Sequence, residues 1–160
     1  RVLFRSAKTA DEQAAMESCF TCVTQALTGC NLIHDVGYLE SGLAGSLELV
    51  VMMNELLGMV RRFQEGIDLS QEALATDVIH QVGIGNQYLT HDHTLEYYRS
   101  ENWTPNLFDR NRFDEWAAAG QPSLAKRAAL KVEEILLQPK AAYLDNRQIK
   151  ALSKLIDKRE

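Results

Sequence analysis

Apolar positions recur at helical spacing over most of this chain. Ala15, Cys19, Cys22 and Ala26 fall at i, i+4, i+7 and i+11. They predict a buried stripe on a helix from Asp11 to about Leu27, opened by acidic residues and stopped by Gly29. The strongest pattern spans Ser46–Glu65, where Leu49, Met53, Leu56, Val60 and Phe63 share one face and Gly66 ends the helix. Val50, Met52, Leu57 and Met59 widen that face, so this helix is expected to be covered on more than one side. Between the two helices, Cys30–His34 is a short apolar run and predicts a buried strand.

Further on, Ser70 caps a predicted helix reaching about Val82. Gly83–Thr90 reads as a glycine-opened turn leading to a short extended piece. Asp92 or Thr94 caps a helix through Tyr98 and Arg99, and Pro105 breaks the chain. A short helix around Phe113–Ala119 ends at Gly120. Ser123 caps a helix to about Gln138, which Pro139 stops. Asp145 and Gln148 form a capping box for the last helix. Helix–strand–helix–helix–strand–helix is the rhythm of βα units. Two strands alone do not make a parallel sheet covered on both faces. The expected fold class is therefore α/β, as the closing part of a larger barrel.

Composition adds little, but charge changes the picture. The 160 residues are 46% hydrophobic, enough for one core, with a net charge of −5 that disfavours broad nucleic-acid binding. Residues 1–122 hold 8 Lys and Arg against 17 Asp and Glu, a net of −9; residues 123–160 hold 9 against 5, a net of +4. An acidic body suits a cationic ligand, and the basic tail reads as a solvated helical face. No apolar run approaches the roughly 18 residues of a membrane helix. Three cysteines are too few for a disulfide framework, which points to a reducing cytoplasm. Arg1–Ser6 matches the codons CGT GTG CTC TTC CGA TCT, the tail of a common sequencing adapter. That segment is expected to be a read-through scar and the chain a gene fragment prone to self-association.

Residues 31–46 hold the densest candidate chemistry. The apolar run ends in His34 and opens into a loop with Gly37, Gly42 and Gly45, carrying Tyr38 and Glu40. A polar cluster where a strand becomes a loop is where α/β barrels keep their chemistry. Together, NLIHDVGYLESGL, GMVRRFQEGI and HDHTLEYYR resemble the C-terminal third of the trimethylamine methyltransferase family, from about Lys8 to about Trp116 and more loosely to the end. The resemblance implies a TIM (β/α)8 barrel, with its C-terminal units in residues 7–104 and a helical extension in 105–160. It implies transfer of a methyl group from a methylated amine to the Co(I) corrinoid (cobalamin) of a separate small protein. No cofactor is expected on this chain itself. Family members with pyrrolysine demethylate trimethylamine, and others use glycine betaine or similar quaternary amines.

For such a ligand, Tyr38 would face the methylated ammonium through its ring, and Glu40 would balance its charge or brace the loop. His34 would act as the catalytic residue orienting the substrate head, with Asn31 pointing into the barrel. A neutral amine leaves, so no general acid is needed. Two other readings stand beside this one. Cys19, Cys22, Cys30 and His34 give a C-x2-C-x7-C-x3-H spacing that superficially suits zinc, although a helix, a strand start and a strand end would all have to converge. Cys19 and Cys22 are more simply buried, unreactive thiols. A non-catalytic helical interaction module is the other alternative. His91-Asp92-His93 is explained by a capped helix start, and His80 by a surface position.

Overall fold

The computed structural model describes residues 6–34, 36–139 and 144–156. Most of the segment read as adapter-derived, Arg1–Arg5, lies outside the described residues. Helix α1 is Glu12–Leu27, and α2 is Leu47–Gln64. The hydroxyl of Ser46 accepts the Leu49 N–H at 3.1 Å, Glu48 sits in the first turn of α2, and Arg61 and Arg62 sit in its last. Both ends of α2 thus carry the charge that the helix dipole favours. Asp11 caps α1 by accepting from Gln13 and Ala14.

The side of α1 that faces inward is made of small residues: Ala14, Ser18, Thr21, Cys22 and Ala26 are buried. Ala15 and Cys19 are only half-buried, so the buried stripe is rotated by about one residue from the expected one. The smallest side chains turn inward, where they allow the close approach of α1 to α2. Gln64 Nε2 closes the far end by donating to Ala26 O at 2.8 Å.

Helix α2 also packs against a helix from the end of the chain, so it is covered on more than one side, as its wide apolar face predicts. Beyond α2 the helices are α3 (Gln71–Leu74), α4 (Thr76–Val82), α5 (Asp92–Glu101), α6 (Phe113–Ala118), α7 (Leu124–Leu137) and α8 (Asn146–Ile156). It is α7 that packs on α2, with Ala128 fully buried. Ser123 caps α7 as expected, and Asp145 and Gln148 exchange the two bonds of a capping box at 2.9 and 2.8 Å. The core joins Leu49, Met52, Met53, Leu56 and Val60 of α2 to α1, to Leu39 and Leu107, and to Ala128. At Gly58 a Cβ would stand 3.3 Å from Trp103 Nε1, so this glycine lets the indole lie directly on α2.

Several expectations are corrected. Cys30–His34 forms no strand, and Asn31, Leu32 and His34 are exposed. Among the described residues no neighbouring strand pairs with it, and a strand needs a ladder partner; the Cys30 N–H donates instead to Gln25 O of α1 at 3.3 Å. Gly83–Thr90 likewise contains no strand. Among the described residues the sheet is one antiparallel pair, β1 (Tyr38–Leu39) with β2 (Ala44–Gly45), in the register Tyr38↔Gly45 and Leu39↔Ala44. The expected parallel strands are not seen, and the chain is mostly helical.

The single helix expected from Ser70 to Val82 breaks at Ala75, whose φ is +48°. The Glu72 carbonyl accepts from the ring of His93 at 2.9 Å and from Ala75 N–H at 3.2 Å, so it cannot serve a continuing helix. The cap of α5 is His91, whose Nδ1 accepts from His93 N–H, in place of Asp92 or Thr94. Phe63 is 70% exposed, not buried. No helix among the described residues is long and apolar enough to cross a membrane.

One buried carboxylate joins the two ends of the core. Glu55 is 5% exposed, and its Oε1 accepts the N–H groups of Leu107 at 2.7 Å and Phe108 at 3.1 Å. Replacing it by alanine leaves two amides without an acceptor, one of them buried. Glu55→Ala should lower the unfolding free energy by about 2–4 kcal/mol, and Glu55→Gln, which keeps an acceptor oxygen, by no more than about half of that. Urea unfolding of both variants checks the order; equal losses would mean that the carboxylate contributes only its volume.

Candidate functional site

The segment after His34 is shaped by its contact with α2. Gly37 has φ +83°, and a Cβ there would fall 2.2 Å from Val50 Cγ2 and 3.1 Å from Ser46 O. The backbone is thus pressed against the first turn of α2. Gly37 O accepts the Ser46 N–H at 2.9 Å. The hairpin that follows alternates as a strand pair should, with Leu39 buried and Tyr38 47% exposed.

Glu40–Gly42 joins β1 to β2 as a single 3-10 turn. Glu40, Ser41 and Gly42 have φ values of +47°, +56° and +93°. Two consecutive non-glycine residues in the left-handed region cost roughly 1–2 kcal/mol each, and such strain persists only where the surroundings enforce it. Here the tether is Glu40 N–H, which donates to Ala7 O at 2.9 Å. Ala7 is buried, and the backbone N–H groups of Ser6 and Ala7 both donate to Glu17 of α1, at 2.8 and 3.2 Å. Hydrogen bonds from Gln13, first, and from Ser6 and Ala7 hold the Glu17 carboxyl below its ordinary range. The hairpin is therefore fastened to α1 through Ala7 and to α2 through Gly37.

Of the expected site residues, Tyr38 and Glu40 share this hairpin, with the Tyr38 ring running alongside Gly42. Asn31 and His34 lie in the segment leading to it. All four are exposed. Asp35 lies outside the described residues.

The cysteine set is spread over different environments: Cys22 is fully buried, Cys19 is half-buried, and Cys30 is exposed with its sulfur 3.2 Å from Thr28 Oγ1. Among the described residues no group of three His, Cys, Asp or Glu side chains is placed to hold a metal ion, so the zinc reading finds no support. His80 is exposed on α4, as expected.

A second concave region escaped the sequence reading. A cavity of about 510 Å³ opens between the end of α2, α3 and α5. Tyr97 donates to Glu72 Oε1 at 2.6 Å, and its ring meets that of His93 with centroids 4.7 Å apart. The bond to Glu72, then burial, then the charges of Glu72 and Glu96 push the Tyr97 hydroxyl up to about 12 from an ordinary 10.0. The i, i+4 spacing of His93 and Tyr97 was a visible signal, but their partner Glu72 lies 25 residues away from Tyr97.

Comparison with known proteins bears on the whole chain. Residues 2–160 match the family model for trimethylamine methyltransferase (MTTB). The trimethylamine methyltransferase MttB of Methanosarcina barkeri is 38% identical over 152 residues, covering 95% of this chain and 30% of that protein. MttB2 of Methanosarcina mazei is 39% identical over 154 residues, again 95% of this chain and 30% of the relative. The glycine betaine methyltransferase of Desulfitobacterium hafniense is 39% identical over 111 residues, 69% of this chain and 23% of that protein. The chain thus spans less than a third of the length of these relatives.

Two outcomes follow from the geometry. Gly37→Ala should destabilise the protein by more than about 2 kcal/mol, through its positive φ and the collision with Val50; adding Val50→Ala should relieve the collision and leave about 1 kcal/mol. Thermal unfolding of the single and double variants measures this. Tyr97 should titrate near 12 by absorbance at high pH, above the ordinary 10.0 of a tyrosine hydroxyl. Because its folded value is raised, its contribution to stability is fully present below pH 10.0 and is lost as pH rises through about 12. Tyr97→Phe should abolish that late phase, and an unchanged titration would show that the Glu72 bond does not form.

Proposed function

The chain belongs to the trimethylamine methyltransferase family, and on that premise we propose that the complete enzyme moves a methyl group from a methylated amine to the corrinoid of a separate carrier protein. The substrate class is trimethylamine or a quaternary amine such as glycine betaine. The observation that carries the reading is the hairpin, which holds an aromatic ring and a carboxylate outward on a backbone tethered to both α1 and α2.

Tyr38 offers its ring face to the ammonium, which has no strong hydrogen bond to give once it is quaternary. Glu40 lies two residues on and balances the positive charge. His34 and Asn31, on the approach to the hairpin, orient the polar end of the substrate. A quaternary amine leaves as a neutral tertiary amine, so for that substrate these residues position the cation and exclude water and need not deliver a proton. The corrinoid, held by its carrier, supplies the cobalt nucleophile. In the complete protein we place residues 7–104 as the last units of a TIM barrel, with the hairpin at its C-terminal mouth and residues 105–160 outside it. The odd number of cysteines suits a reducing cytoplasm.

Calorimetry on the complete enzyme tests the role of Tyr38. Tyr38→Leu should weaken binding of a quaternary amine by about 0.5–2 kcal/mol and binding of a neutral isostere of the same shape much less. Equal losses for the charged and neutral ligands would reduce Tyr38 to loop packing and remove the hairpin from the proposed site.

A further inference from the structure

We propose that Glu17 of α1 is a positioning residue for the ligand-facing hairpin: it holds the Ser6–Ala7 peptide, and through Ala7 it sets the left-handed turn at Glu40 and Ser41. For what the hairpin binds, this rests on the methyl-transfer reading. The link is short. Glu17 Oε2 accepts the N–H groups of Ser6 at 2.8 Å and Ala7 at 3.2 Å. Its Oε1 accepts the Ser6 hydroxyl at 2.9 Å and Gln13 Nε2 at 2.8 Å. Four donors converge on a group that only accepts, which is what an ionised carboxylate provides. Gln13, one turn earlier on α1, also donates to Ser6 Oγ at 3.3 Å, so the carboxylate is steadied from its own helix. The part of Ser6 that matters to the link is its backbone N–H, which any residue but proline would supply.

Ala7 then turns its carbonyl to the Glu40 N–H at 2.9 Å. One residue thus has its N–H on α1 and its C=O on the hairpin. Among the described residues no other hydrogen bond ties residues 40–42 to a segment outside the hairpin; the bond from Leu43 N–H to Glu40 O, at 3.1 Å, stays within it. Glu40 and Ser41 hold φ values of +47° and +56°, a region that non-glycine residues leave unless they are held there. Ala7 is buried, but the methyl of one alanine offers little apolar surface to anchor its segment. Without Glu17 the Ala7 carbonyl is released and the turn relaxes toward negative φ. That re-aims Glu40 and moves Gly42, which lies alongside the Tyr38 ring.

Hydrogen–deuterium exchange of the complete enzyme, read on peptides spanning the hairpin and α2, gives the first test. Glu17→Ala should speed exchange of residues 40–43 at least about tenfold and leave the interior of α2 unchanged. Calorimetry gives the second, with glycine betaine or trimethylamine, whichever the parent enzyme binds. Glu17→Ala should weaken binding roughly three- to tenfold, the scale of ordering one side chain on binding. Glu17→Gln should recover most of that affinity, because its oxygen still accepts from the Ser6 and Ala7 N–H groups while Gln13 turns its amide over. Added to Tyr38→Leu, Glu17→Ala should cost clearly less than it does alone, since both changes remove the same prepared contact; a loss of general stability would simply add. Unchanged exchange in the hairpin, a loss that Glu17→Gln does not recover, or losses that add would overturn the proposal. An enzyme in which Tyr38→Leu changes nothing loses the hairpin as its site, and this role of Glu17 with it, whatever the exchange shows.

Discussion

The bond from Glu55 to the Leu107 amide is the point on which the rest of this structure turns. The carboxylate sits inside the core, and among the described residues no basic side chain is bonded to it. Its Oε1 takes the N–H groups of Leu107 and Phe108, while Arg127 Nε donates to the carbonyl of the same Leu107 at 2.9 Å. Arg127 also donates to Pro122 O at 2.6 Å. The acid of α2 and the base of α7 are thus joined through one residue's peptide groups. An irregular segment following Pro105 is clamped between two helices, and buried charge is satisfied by backbone. This explains how α7 covers a side of α2 that its apolar residues alone would leave with a charge in the middle. It also spares α2 from relying on α1, whose contact face is mostly alanine, serine, threonine and cysteine.

What was legible in the sequence was local. Ser70, Ser123 and the Asp145–Gln148 box cap helices where they were expected to, because a cap acts within three residues of itself. The face of α2 was legible for the same reason, through Leu49, Met53, Leu56 and Val60. The largest failures were non-local. Cys30–His34 has a strand's composition, but a strand exists only with a partner. The break at Ala75 depends on His93, 21 residues beyond Glu72. Glu55 reads as one more polar position beside an apolar stripe until Leu107 is brought to it. The candidate site divides in the same way: Tyr38 and Glu40 were visible as residue types, while the left-handed turn that presents them was not.

That turn is the place where local preference is most plainly overruled. Glu40 and Ser41 adopt positive φ although neither is glycine, and the strain is held from outside, by Ala7 at one edge and by the first turn of α2 at the other. Ala7 in turn is held by Glu17 of α1. Helices α1 and α2 thus meet twice, once through their packed faces and once through the hairpin. Distorting the hairpin means moving a helix.

This rigidity bears on recognition of the ligand class proposed for the complete enzyme. A quaternary ammonium gives a protein almost nothing directional to grip. Each aromatic face is worth roughly 0.5–2 kcal/mol, and a partly exposed carboxylate adds little in the presence of salt. Such contacts add up only if the groups making them are already in place, because ordering a side chain at the moment of binding costs about as much as one contact returns. A freely moving loop bearing a tyrosine and a glutamate would therefore select poorly for a methylated cation. A short hairpin with its inward residue, Leu39, locked in the core and its turn held in a strained conformation keeps the backbone at Tyr38 in place before any ligand arrives. At the proposed site the left-handed turn and the tethers at Ala7 and Ser46 would matter to binding as much as the ring would, although they would touch no substrate.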